Sequence, residues 1–247
     1  MTSKEAILHQ LKNLKGKPLK QKIEHILTYF WIPILIVLVL LFSTGSYIVH
    51  RLTMKDIAMS VNCINAMADP ETAQAYIDAF ADAAGIDRET YDVQISAHYI
   101  LDEKDLANSY NTTQVIVSQI AAGATDILAG DRETMLGYCY QEFFQPLDAV
   151  LTAQQLEAHK DAFLYIDMAL VRQIQENFIE EMPAFPDPTK PEEMAEPVAI
   201  ALRVPEDSPF RIACFPYRKN DVVLGLAVNS ENLANAVAFI EYVMEYE

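Results

Sequence analysis

The chain has 247 residues, of which 51% are hydrophobic, and its 35 acidic against 18 basic side chains give a formal net charge of −17. This excess of negative charge argues against a nucleic-acid partner, because a surface that binds phosphates needs clustered Lys and Arg. The three cysteines show no CxxC spacing, which excludes the disulfide framework of a small secreted domain. We expect Cys63, Cys139 and Cys214 to be small buried side chains, with one disulfide pair as the alternative.

Residues 1–25 form a basic segment with six lysines against two glutamates, a net charge of +4. Within this segment, Ile7, Leu8, Leu11 and Leu14 recur at helical spacing, with lysines on the other face. The pattern predicts an amphipathic helix that lies on the inner leaflet of a membrane. A docking site for a cytoplasmic or membrane partner is the alternative.

Residues 26–50 form an apolar segment, and its first 24 residues contain no Asp, Glu, Lys or Arg. At about 1.5 Å per residue a helix of this length spans roughly 36 Å, whereas the hydrocarbon core of a bilayer is about 30 Å thick. We predict an uncleaved transmembrane helix; the alternative is a signal peptide cleaved near Ser43 and Gly45. Because short lysine-rich flanks stay in the cytoplasm, residues 55–247 are predicted to form an extracellular domain at the cell membrane.

Beyond the membrane segment, hydrophobic patterns of period two alternate with patterns of helical period, which predict strands and helices. Asp69-Pro70 supplies an N-cap followed by proline at the first helical position, and Gly85 ends that helix. The elements predicted in the first half are strand 57–64, helix 70–84, strand 91–101, helix 111–122, strand 126–129 and a helix after Gly130-Asp131. Alternation along the second of these strands places Val93 and Tyr99 on the same face.

The second half contains a proline-rich connection, because seven of the twelve prolines lie between Met182 and Phe210. Thr152 and Ser230 each precede a helical pattern and are predicted N-caps. The elements predicted in this half are helix 153–160, a strand and a helix within 163–181, strand 198–204, strand 221–228 and a final helix.

Strands that alternate with helices predict an α/β domain, with a mostly parallel sheet and helices on both faces. In such sheets a ligand binds in the crevice outside the carboxyl ends of the strands. The candidate ligand-binding residues at that edge are Asn65, Asp102, Gly130, Asp131, Arg132 and Asn229. The helix start after Gly130 is also a candidate anion site, although Asp131 as a simple N-cap is the alternative.

No catalytic or metal-binding motif accompanies these residues. The chain lacks GxGxxG, GxxxxGK[ST], GxSxG and HExxH, and its five histidines do not fall at metal-ligand spacing. We therefore expect no enzymatic activity, no cofactor and no metal site, with an enzyme of unrecognised type as the least favoured function.

Three blocks of sequence resemble a known family: IAAGATDILAGDRETMLGYCYQEFFQPLDAVLT (120–152), PVAIALRVPEDSPF (197–210) and VVLGLAVNSENLANAVAFIEYVM (222–244). Together they resemble the extracellular solute-binding proteins of bacterial ABC transporters, which have the type 2 periplasmic-binding-protein fold. The resemblance implies one lobe of that fold, because residues 182–210 are short and proline-rich where a second lobe is expected.

The resemblance also implies a function. A membrane-anchored domain of this kind is expected to be an accessory or binding component of a transport system, with a small solute as ligand and a permease as partner. The alternative is an interaction or structural membrane protein whose crevice is filled by side chains. An open polar crevice favours the first hypothesis, and a crevice plugged by Phe or Tyr favours the second.

Overall fold

The computed structural model describes residues 18–102, 104–176, 184–216 and 221–245. The chain divides into two units, Met1–Met54 and Lys55–Glu247. The predicted amphipathic pattern from Ile7 to Leu14 lies outside the described residues.

The first unit contains one long helix, α1, Leu19–Thr53. Its stretch Trp31–His50 is long and apolar enough to cross a membrane. Apolar side chains such as Leu41 and Phe42 are exposed along this helix, as a lipid-facing segment requires. Pro33 lies inside the helix, a position that membrane helices tolerate better than soluble ones.

The second unit contains, among its described residues, a six-stranded sheet in the order β2-β1-β3-β6-β5-β4. The strands are β1 Asp56–Ile64, β2 Tyr91–Tyr99, β3 Ile127–Asp131, β4 Phe163–Asp167, β5 Pro197–Arg203 and β6 Val222–Leu226. The α-helices are α2 Pro70–Ala83, α3 Leu106–Ala121, α4 Arg132–Cys139, α5 Ala153–Ala158, α6 Met168–Glu176, α7 Pro209–Cys214 and α8 Leu233–Met244. Short 3₁₀ turns lie at Leu147–Ala149, Lys160–Ala162 and Pro191–Glu193.

The sheet is mixed, so the prediction of a mostly parallel sheet is wrong. Strand β1 is parallel to β2 and β3, whereas β6 is antiparallel to β3 and β5, and β4 is antiparallel to β5. Every residue of β3 and β6 is buried. A strand covered on both faces gives a continuous apolar run whichever way it points, so the sequence pattern carried no information on direction.

Helices cover both faces of the sheet, as predicted, and create two hydrophobic cores. Helices α2, α7 and α8 pack in the first core, and α3, α4 and α6 pack in the second. Strand β3 contributes to both, because Ile127 and Ala129 face the first core while Leu128 faces the second. In the first core, Phe80 and Phe239 meet edge to face with ring centroids 5.1 Å apart. Burial of a phenylalanine side chain contributes about 2–3 kcal/mol.

Of the N-caps predicted for α2, α5 and α8, two are confirmed and one is wrong. The Asp69 side chain accepts a hydrogen bond from the Thr72 backbone N–H at 3.0 Å. Thr152 forms a capping box with Gln155 at the start of α5. Ser230 does not cap α8, which begins at Leu233; its hydroxyl is used in the hydrogen-bond cluster described below.

The predicted face of Tyr99 is also wrong, because β2 carries one extra residue near its end. Asn62 pairs with Ser96, but Ile64, two residues further along β1, pairs with Tyr99. This irregularity turns Tyr99 into the second core, while Val93 faces the first.

The three cysteines are free and buried, which agrees with the prediction of small buried side chains. Cys63 and Cys214 are both fully buried in the first core, and Cys139 lies in the second. Hydrogen bonding to the Cys214 thiol, together with burial, raises the pKa of Cys63 well above its usual range, so it stays a neutral thiol.

The turn FFQPLD, residues 143–148, lies in close contact with the sheet. This contact explains why position 225 in β6 is a glycine. A Cβ added at Gly225 would lie 2.6 Å from the ring of Phe144. Phe144 also bridges to Ala227, and the Gln145 N–H donates to the Leu226 carbonyl at 2.8 Å. Glycine is therefore the residue that lets this aromatic turn lie against the strand.

Candidate functional site

An open groove of about 730 Å³ lies where β1, β2 and β3 end. It is lined by the residues that follow β1 and β2, the end of β3, and the first turns of α3 and α4. The lining residues are Asn65, Ala66, Met67, Ile100, Leu101, Asp102, Lys104, Leu106, Ser109, Asp131, Glu133 and Thr134. The groove therefore occupies the edge at which the sequence predicted a crevice, and three of the six predicted residues line it.

Asn65 holds the three strand ends together. Its side-chain oxygen accepts a hydrogen bond from the Leu101 N–H at 2.7 Å, and its Nδ2 donates to Asp131 Oδ2 at 3.2 Å. The residue has φ +56°, a left-handed conformation that asparagine tolerates better than most residues. Because the bonds join the segments after β1 and β2 to the end of β3, Asn65 sets the shape of the groove.

Asp131 and Asp102 place carboxylates in this groove in two different ways. Asp131 is buried and caps α4, accepting hydrogen bonds from the Thr134 N–H and hydroxyl, each at 3.0 Å. Asp102 is exposed, and its Oδ1 accepts from the Lys104 N–H at 2.9 Å. Ser109 fixes the Asp102 backbone, since its hydroxyl contacts both the N–H and the carbonyl at 2.8 Å.

The groove is both negative and apolar. Of the lining residues that the structure describes, three have acidic side chains and one, Lys104, has a cationic side chain. At its rim, Met67, Ile100 and Leu106 expose 67%, 55% and 74% of their surface, unusually much for large apolar side chains. Carboxylates beside an apolar rim suit an organic cation that carries a hydrocarbon part.

Gly130 and Arg132 lie beside the groove but do not line it. Gly130 is buried against Ile64, and Arg132 forms ion pairs with Asp187 at 3.3 Å and Asp221 at 3.6 Å. The Asp131 carboxylate itself receives the donors of the first turn of α4. This supports the interpretation of Asp131 as an N-cap and weakens the anion-site hypothesis.

Asn229 lies at the opposite end of the sheet, so its predicted place in the groove is wrong. The reason is the antiparallel direction of β6, which carries the end of this strand away from the ends of β1 and β3. There the Asn229 side chain donates to the Ala121 carbonyl at 3.4 Å. Gly123, with φ +68°, lies so close that an added Cβ would be 2.9 Å from the Asn229 carbonyl oxygen.

A second cavity, of about 490 Å³, lies at this opposite end and is bordered by Asp126. Asp126 is 1% exposed and accepts four hydrogen bonds: from the Ser60 N–H at 2.8 Å, the Ser230 hydroxyl at 2.7 Å, and the N–H and side-chain amide of Asn232, each at 3.2 Å. A carboxylate with this many donors has a structural role, since it joins β1 and β3 to the turn before α8.

A further cluster escaped the sequence analysis. His159 Nε2 lies 3.3 Å from Glu241 Oε2, and one ligand atom from each of His159, Glu241 and Glu245 lies within 4.8 Å of the others. The histidine comes from the end of α5 and the carboxylates from the end of α8, so histidine spacing could not reveal it. The only signal in the sequence was the i, i+4 spacing of Glu241 and Glu245.

No family model matches this chain, and no match was found among curated proteins or among solved structures. The resemblance to solute-binding proteins therefore stays a prediction.

Proposed function

We propose that the chain is a single-pass membrane protein whose Lys55–Glu247 unit binds a small organic cation in the groove at the ends of β1, β2 and β3. The observation that carries this proposal is the open groove itself, which combines three acidic side chains with exposed apolar ones. Its volume of about 730 Å³ falls within the range of small-molecule sites, about 300–1,000 Å³. Among the described residues that line it there is no Phe or Tyr, which favours an unfilled crevice.

The membrane placement rests on charge and hydropathy. Residues 1–25 carry a net charge of +4 ahead of the apolar stretch Trp31–His50. This arrangement favours a cytoplasmic N-terminus and an extracellular Lys55–Glu247 unit. In that position the groove meets solutes outside the cell, and a permease in the same membrane is the partner that the family resemblance suggests.

The exposed rim favours a second candidate function. Met67, Ile100 and Leu106 line the groove and are exposed. Exposed apolar groups of this size also occur where one protein docks on another. In this alternative the groove receives an apolar side chain of a membrane-protein partner instead of a free solute.

The test is a ligand screen on the full chain in detergent micelles, by thermal shift and then by calorimetry. Polyamines, amino acids, peptides and sugars are compared, and we expect amines with an apolar part to raise Tm. Asp102→Asn should weaken binding about fivefold, because an exposed charge pair contributes up to about 1 kcal/mol. The asparagine oxygen can still accept the Lys104 N–H, so the fold of the loop is kept.

Asp148→Asn, which removes an exposed carboxylate outside the groove, is the matched control and should leave the affinity unchanged. The solute-binding proposal is abandoned if no class of ligand shifts Tm. It is also abandoned if Asp102→Asn and Asp148→Asn bind the best amine as tightly as the original chain.

A further inference from the structure

His159, Glu241 and Glu245 bring three metal-ligating side chains together at a place remote in sequence from the groove residues. His159 follows the last residue of α5, Glu241 lies in the last turn of α8, and Glu245 is the residue that ends this helix. We propose that these three residues bind one divalent transition-metal ion, with Zn²⁺ as the best-fitting ion. The proposal does not depend on the function assigned to the groove.

The distances suit a metal centre. Zinc binds imidazole nitrogen and carboxylate oxygen at about 2.0–2.2 Å, which places neighbouring ligand atoms roughly 3.4 Å apart in a tetrahedron. His159 Nε2 and Glu241 Oε2 are already 3.3 Å apart. Glu245 has its ligand atom within 4.8 Å of both, and this residue is exposed, so a side-chain rotation can complete the set.

Glu241 supplies a second, independent observation. One of its oxygens, Oε1, is buried and accepts no hydrogen bond from any residue in the described part of the chain. A buried carboxylate oxygen without a donor is costly, and such atoms are rare in folded proteins. A cation bound by both oxygens of the Glu241 carboxylate would remove that cost.

Helix electrostatics point the same way. Glu241 and Glu245 lie at the carboxyl end of α8, where the helix dipole is negative and carboxylates are unfavourable. They are also one turn apart, so they repel each other. His159 is 8% exposed and offers at most one positive charge to this pair. A divalent ion neutralises both carboxylates and uses the imidazole in its neutral form.

The ligand types select the metal. Imidazole with carboxylates suits Zn²⁺ and its first-row neighbours, whereas Ca²⁺ and Mg²⁺ prefer oxygen ligands alone. Three protein ligand residues leave a position for water, and Glu245 is exposed to solvent. A metal bound here would tie the carboxyl end of α8 to the segment after α5.

The experiment uses the full chain in detergent, stripped with EDTA and then dialysed against Zn²⁺. We expect one Zn²⁺ per chain by elemental analysis. At a hundredfold excess over Kd, the ion should raise Tm by about 5–10 °C. Ca²⁺ at the same concentration should leave Tm unchanged. Co²⁺ in place of Zn²⁺ should give visible absorption that is lost when Glu245 is changed.

Glu245→Gln is the main variant, because this exposed residue can change without disturbing a core, and it should weaken Zn²⁺ binding at least tenfold. His159→Gln should do the same, with circular dichroism to confirm that the variant is folded. Glu192→Gln, an exposed carboxylate on the Pro191–Glu193 turn, is the control and should bind as the original chain does. The proposal is overturned if Zn²⁺ does not bind stoichiometrically, if Glu245→Gln leaves its affinity unchanged, or if Ca²⁺ stabilises the chain equally.

Discussion

The Asp126 side chain is 1% exposed and lies at the end of the sheet opposite the groove. It accepts four hydrogen bonds, and three of their donors belong to the turn that precedes α8. The identity of Ser230 in the sequence suggested a helix cap. In the structure the Ser230 hydroxyl instead donates to the Asp126 carboxylate, a contact that no local pattern can reveal.

Replacement of Asp126 by asparagine should therefore destabilise the fold. The amide keeps the shape of the carboxylate but turns an NH₂ group toward buried donors, and each lost bond to a charged group contributes about 1.5–3 kcal/mol. We expect the free energy of unfolding in urea to fall by about 2–4 kcal/mol. The exposed substitution Asp148→Asn should change it by less than about 0.5 kcal/mol. Equal stabilities of the two variants would contradict this role of Asp126.

At the groove, the sequence predicted which residues lie at the strand ends, but it did not predict where their side chains point. Asn65, Asp102 and Asp131 follow or end the strands β1, β2 and β3, which run parallel, so the rule for parallel sheets located them. Arg132 is adjacent in sequence to Asp131, but its side chain points to Asp187 and Asp221. The direction of a side chain at a strand end depends on tertiary partners that the sequence does not display.

At the scale of elements, the Asp167 carboxylate at the end of β4 binds backbone N–H groups of α6 and of the segment before β5. Its ionisation contributes to stability. Asp167 ends β4, and its oxygens accept from the N–H groups of Ala169, Ala195 and Glu196, each at 3.0 Å. Burial alone would raise the pKa of this carboxyl. The backbone donors outweigh that effect and hold its pKa below the usual value.

This shift predicts a pH-dependent contribution of Asp167. Because the pKa is lower in the folded state, its stabilisation is fully present above the unfolded value of about 3.9 and is lost as pH falls through the folded value. The difference in unfolding free energy between the original chain and Asp167→Asn should therefore be largest at pH 6–7 and shrink below about pH 4. Urea denaturation at several pH values measures it, and a difference that is constant with pH would refute the ionic contribution.

Elements with strong local signals were predicted well, and their arrangement was not. Asp69-Pro70 and Thr152 specify helix starts through bonds within a single turn, so a short sequence window contains the necessary information. The direction of β6 depends instead on how the chain returns from β5 through α7. The extra residue in β2, which moves Tyr99 to the other core, is likewise fixed by pairing with β1.

For the whole molecule, the proposed membrane orientation can be tested by thiol labelling of single introduced cysteines. The native cysteines interfere little with this measurement. Cys63, Cys139 and Cys214 are buried, so the folded chain offers a low background for thiol labelling. A membrane-impermeant maleimide applied to intact cells should label Asp148→Cys directly. It should label Ser3→Cys only after permeabilisation, because the basic N-terminal segment is proposed to be cytoplasmic. The opposite pattern, or equal labelling of both variants, would contradict the proposed orientation.

The strand order also constrains how the chain can be made. Strand β6 occupies an interior position in the sheet although it is the last strand in the sequence. Until Val222–Leu226 leave the ribosome, β3 and β5 each present an open edge of unpaired backbone groups. Helix α1 emerges long before that moment. A message truncated ahead of residue 222 therefore yields a chain with two additional open sheet edges, prone to aggregation, and not a smaller stable domain.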